Sequence, residues 1–186
     1  MAPASTAAST AQPGSWVWVQ SLKAHPESFQ LSPIEGRVYV NVPDVNEIAV
    51  VDQKAGRQIA SWPATKWAAN YPMAIDEDSQ SVLSVFRKPA RIARYSIKDG
   101  AVSAEVEVCG DADDVFVDAK RKRVYVICGE GAVDILDRET LTRIEKFSTS
   151  PGARTGLYST AAELLFVAAR AEGGREAVVW ILKPRD

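Results

Sequence analysis

An all-β fold follows from three observations: a repeat of about forty residues, strand-type periodicity within each repeat, and turn residues between the strands. Four segments share one plan: an apolar strand, a polar turn, a second strand of aliphatic and aromatic residues, a loop and a third strand. Ser32, Asp76, Asp118 and Ser159 end the first strands, at spacings of 44, 42 and 41 residues. In every repeat the next apolar strand opens six positions on, at Val38, Val82, Val124 and Leu165.

The repeats run near residues 25–66, 69–108, 111–149 and 152–183. "RVYVNV" and "RVYVIC" are β-branched and aromatic, as a half-buried strand requires, and the turns carry Asp, Ser, Gly and Lys. "RQIASW", "VSAEVEV" and "TRIEKF" predict a fourth, more polar outer strand for the first three repeats. Four antiparallel strands, graded from apolar to polar and repeated at this period, predict a β-propeller of about four four-stranded antiparallel blades. The fourth repeat ends on "AVVWIL" with no outer strand after it. The orphan "SWVWVQ", residues 15–20, is therefore expected to supply the N-terminal strand closing the last blade, since an open edge invites aggregation. Residues 1–14, rich in Ala, Ser, Thr and Pro, read as a flexible N-terminal segment, and 15–186 as one β-propeller domain.

Composition narrows the function classes. With 22 basic and 24 acidic residues the net charge is −2, which argues against an electrostatic nucleic-acid binder. No apolar run approaches the roughly 20 residues that span a bilayer, so membrane insertion is not expected. The N-terminus lacks the basic and apolar regions of a secretory signal, so the chain as written reads as cytoplasmic. His25 is the single histidine and no nucleophile elbow accompanies it, so no catalytic triad is expected. Cys109 and Cys128 are expected to be free thiols: with Val117 opposite Val124, Cys128 falls opposite Asp113 and Cys109 lies beyond the ladder.

"RVYVNVPDVNEIAVVD" resembles the YVTN repeat, the blade motif of a large group of bacterial seven-bladed β-propellers. "HPESFQL", "DADDVFVDAKRKRVYVICGEG" and "PGARTGLY" resemble the last blades of a hypothetical-protein branch of that family. The likeness covers about residues 20–183. It implies a binding scaffold without general catalytic activity, found mostly among exported, periplasmic relatives. The chain departs from the family in having about four blades and no export signal.

The loops that enter the innermost strands of a propeller share one face with those joining second strands to third. Five positions before the anchors stand Glu27, Tyr71, Asp113 and Arg154. Asp114 follows Asp113, while His25 and Asp111 precede the anchors by seven, and Arg87 comes from a second-to-third loop. This axial face is the candidate ligand-binding site. Three occupants fit it. Solvent alone would do, since Asp beside Gly is ordinary turn chemistry. A protein or small polar ligand would suit acids alternating with arginines. A divalent cation of the calcium type would use Glu27, Asp111, Asp113 and Asp114, as a metal-dependent, lactonase-like hydrolase would require. The leading expectation is a non-catalytic binding module without a cofactor. A shortened propeller without selected activity, paired with a second copy of itself, is the remaining alternative.

Other features have plainer readings. "AKRKR" (119–123) is expected to be a hairpin tip, "GEG" (129–131) a turn without a phosphate-binding helix behind it, and Trp62 and Trp67 packing between blades.

Overall fold

The computed structural model describes residues 20–32 and 34–185. The described residues form fifteen strands and one short 3-10 helix, Pro43–Val45. Burial alternates along an outer strand such as Arg57–Pro63, whereas Ser81–Lys88 and Arg123–Cys128 are buried on both faces. The first sheet is β1 (Phe29–Ser32), β2 (Arg37–Val42), β3 (Glu47–Asp52) and β4 (Arg57–Pro63). The second is β5 (Ala68–Asp76), β6 (Ser81–Lys88), β7 (Ala90–Ser96) and β8 (Val102–Glu107). The third is β9 (Ala112–Asp118), β10 (Arg123–Cys128), β11 (Ala132–Asp137) and β12 (Arg143–Ser148). The fourth has three strands among the described residues, β13 (Thr155–Ser159), β14 (Leu164–Ala169) and β15 (Val178–Leu182).

Every sheet is an antiparallel meander in sequence order, and the four expected anchors each pair with the start of the following strand. The expected closing strand, residues 15–20, lies outside the described residues apart from Gln20, whose side chain accepts the Gln58 backbone N–H at 3.0 Å. No described helix is long and apolar enough to cross a membrane.

Both faces of the second and third sheets are apolar, and the sheets pack in sequence order through three layers. Between the first and second sheets Trp62 lies against Tyr39 (centroids 5.2 Å apart) and parallel to Tyr95, while Trp67 meets Phe86 at 5.1 Å. This bears out the packing role of both tryptophans. Leu83, Val85 and Ile92 meet Val115, Val124 and Val126 in the second layer. Tyr125, Ile127 and Val133 meet Leu165 and Val167 in the third. Such burial is worth about 1.5–3 kcal/mol for each large side chain. First strands lie in a row, β1 beside β5, β5 beside β9, and β9 beside β13.

The free-thiol expectation is corrected: Cys109 and Cys128 form a disulfide, with Cα atoms 5.8 Å apart. The register starts as expected, with Val117 opposite Val124, but shifts at a bulge between Ile127 and Cys128. Asp113 is skipped and Cys128 pairs with Ala112. Asp111, at φ 58°, turns the chain where it enters the strand, and Cys109, before that turn, lies against Cys128.

Candidate functional site

The bulge that admits the disulfide also aims the acids. Asp111 and Asp113 project from the entrance to β9, between Arg87 at the end of β6 and Arg154 just before β13. The Asp111 carboxylate contacts Arg87 Nη1 at 3.2 Å through Oδ1 and Arg154 Nη1 at 3.0 Å through Oδ2. The Asp113 carboxylate pairs with Arg87 Nη2 through Oδ1 and with Arg154 Nε at 2.9 Å through Oδ2. Each carboxylate thus bridges both guanidiniums, and the ring of ion pairs ties the second, third and fourth sheets together at one mouth. Arg87 Nε also donates to the Ala112 carbonyl at 2.9 Å, and its guanidinium stacks 4.2 Å from the centroid of Tyr71. That planar, multiply bonded setting suits arginine and would not suit lysine.

Supporting residues fix this geometry from below. Asn41, fully buried on β2, donates to the carbonyls of Tyr71 (3.1 Å) and Pro72 (3.3 Å). Its own oxygen accepts from Asn70 and Ser84. This network holds the irregular Tyr71–Pro72 stretch of β5 beneath Arg87. On the other side the Cys109 N–H donates to buried Asp134 at 2.7 Å, and Gly110 N–H donates to Glu130 at 2.7 Å. Gly129 N–H donates to the Asp111 carbonyl at 2.7 Å, and a Cβ on Gly129 would collide with the Asp111 carboxylate. "GEG" is a turn, as expected, and its first glycine is what lets Asp111 fold across it.

Asp114 turns away from the ion-pair ring. It accepts the Gly156 N–H at 2.7 Å and lines a cavity of about 330 Å³ along the first strands, with Ser28, Gln30 and Phe116. Burial pushes its carboxyl up from the ordinary range, and the Gly156 bond offsets only part of that rise.

Of the eight residues singled out by position, five meet directly: Tyr71, Arg87, Asp111, Asp113 and Arg154. Asp114 is adjacent, on the inner side. His25 and Glu27 are exposed and take no part in the ion-pair ring; Glu27 is held by its backbone N–H on the Asn41 carbonyl at 2.9 Å. The four carboxylates proposed for a cation do not gather around one point, because Asp111 and Asp113 are taken up by guanidiniums and Asp114 by a backbone N–H. Among the described residues no group of three or more His, Cys, Asp or Glu is arranged to hold a metal ion. Asn41, Asn70 and Ser84 were not singled out by sequence. The available signal was a polar side chain at an inward position of an otherwise apolar strand.

The basic run 119–123 spans the β9–β10 turn and the start of β10, with Lys120 and Arg121 paired to Glu163. A further cavity lies elsewhere. About 410 Å³ opens between the third and fourth sheets, lined by Ile144, Phe147 and Ile181, beside β15, the edge strand of the fourth sheet among the described residues. It is mostly apolar, and Arg123, Glu145, Lys183 and Arg185 also line it.

No family model and no curated protein matches the chain. Among solved structures the fold is similar to Kuenenia stuttgartiensis hydrazine synthase, with a TM-score of 0.78 at 14% identity. The match covers 89% of this chain and 47% of that one, so the chain spans about half its length. A likeness at that identity concerns the fold alone.

Proposed function

We propose that the four sheets are successive blades of a YVTN-type β-propeller and that the chain is a non-catalytic module binding a protein or small polar ligand at its axial mouth. The observation that carries this reading is the alternation of Arg87 and Arg154 with Asp111 and Asp113 across three sheets. Two guanidiniums and two carboxylates offer paired donors and acceptors to a ligand that bears both charges, such as a peptide or an amino-acid zwitterion. The ring is part-exposed, so each pair adds at most about 1 kcal/mol and can open toward a ligand at small cost. Nothing in the ring provides a nucleophile with an adjacent base. The disulfide favours folding in an oxidising compartment, in keeping with exported relatives.

Asp114 supports the same reading. A half-buried carboxyl that must ionise against its surroundings costs stability, which is a common feature of binding sites. Titration calorimetry with short peptides and amino-acid zwitterions tests the proposal. Binding should fall at least tenfold, about 1.4 kcal/mol, in the Arg87→Ala/Arg154→Ala double variant and stay unchanged in Lys98→Ala. Asp114→Asn keeps an acceptor for Gly156, so it should raise the melting temperature by a few degrees, about 2–4 °C per kcal/mol, while weakening binding. Equal affinity in wild type and the double arginine variant would refute the site.

A further inference from the structure

We infer that two copies of this chain pair through the two end faces of the sheet stack, the fourth sheet of each copy packing on the first sheet of the other. The inference is independent of which ligand the mouth takes. It starts from exposed apolar side chains: Phe29 (65% exposed) and Leu31 (47%) at one end, Leu157 (57%), Val179 (59%) and Ile181 (62%) at the other. Cross-strand register makes each set a face. Phe29 lies opposite Val40 and Leu31 opposite Val38, at the margin of a cluster where Leu22 and Ala24 pack against Val40, Val42 and Ala49, while Leu157 and Ile181 both flank Phe166. Monomers rarely expose contiguous apolar surface of this kind.

The repeat identifies what each face is built to meet. Counted from the anchors, Leu31 holds the place of Ile75, Val117 and Tyr158, each of which packs on the sheet before its own. Leu157 and Phe166 hold the places of Phe116 and Tyr125, which pack on the sheet after their own. The end faces are therefore the two halves of the same interface that occurs three times inside the chain. Every sheet-to-sheet layer among the described residues is between consecutive sheets, so within the described residues the two halves do not meet.

A second copy brings such halves together, and a two-fold axis forms the missing interface twice.

Light scattering with size-exclusion chromatography on the full 186-residue chain, at several concentrations, tests this directly. The expected mass is twice 20.2 kDa. Ile181→Glu and Phe29→Glu should each shift the mass to a monomer, since each spoils both interfaces of a like pair. Mixed together they should form a dimer again, because one interface stays intact. Both positions are exposed, so circular dichroism should be unchanged. Should either variant lose its fold, Leu157→Glu and Leu31→Glu take the same roles. A wild-type monomer at every concentration, mass that grows without limit, or a dimer that survives either substitution would overturn the inference. So would failure of the mixture to pair.

Discussion

Arg138 and Asp76 lock the second sheet to the third with few atoms. Arg138 Nε donates to Asp76 Oδ2 at 2.7 Å, Nη2 donates to Oδ1, and Nη2 also reaches Asp78 at 3.0 Å. Asp76 is one of the most buried acids in the protein. Burial pushes its carboxyl up, but bonds from Arg138 and Ser79 outweigh burial and hold it below the ordinary range. A folded value below the unfolded one, about 3.9, gives a definite sign. Ionised Asp76 stabilises the fold above the unfolded value, and that contribution is lost as pH falls through the folded value. Arg138→Met leaves a buried carboxylate without its partner, so urea unfolding at pH 7 should show a loss of about 3–5 kcal/mol. The gap between wild type and variant should shrink below about pH 4, where Asp76 can take up a proton. A gap that stays constant from pH 7 to pH 3 would show that the pair acts only through packing.

At the scale of the element, the entrance to β9 decides the site. Its disulfide closes a loop of sequence separation 19, worth about 3 kcal/mol by loop-closure entropy. Reduction, or the Cys109→Ser/Cys128→Ser double variant, should lower stability by about that amount. It should also speed hydrogen exchange at Gly110–Asp114 while leaving β5 and β6 protected. Unchanged exchange would mean that the Asp134 and Glu130 bonds hold the loop unaided. This element also marks the limit of what the sequence discloses. Strand order and anchor register were legible, because an apolar period of two and turn residues six positions apart leave little freedom. The bulge at Asp113 was not, since its cause is tertiary: two guanidiniums from other sheets draw the carboxylate out of the ladder. One skipped residue moved Cys128 from opposite Asp113 to opposite Ala112, and the free-thiol expectation failed with it. Position from the anchors correctly brought Tyr71 and Arg87 to Asp111, Asp113 and Arg154. It did not reveal Asn41, whose role depends on carbonyls 30 residues away.

On the scale of the whole molecule, the stack places its polar ring and an apolar cleft at different sites. The mouth joins three sheets by charge, while the 410 Å³ cleft between the third and fourth sheets is mostly apolar and lies beside β15, the edge strand of that sheet among the described residues. A binding module of the proposed kind uses the first and leaves the second to whatever covers that edge. Side-chain NMR of the arginine Nε–Hε groups separates the two most directly, with amino-acid zwitterions and short peptides as probes. The account predicts saturable shifts at Arg87 and Arg154, accompanied by the Gly156 amide and the Tyr71 ring. Shifts confined to Phe147, Ile144 and Ile181, with Arg87 and Arg154 unmoved, would contradict it.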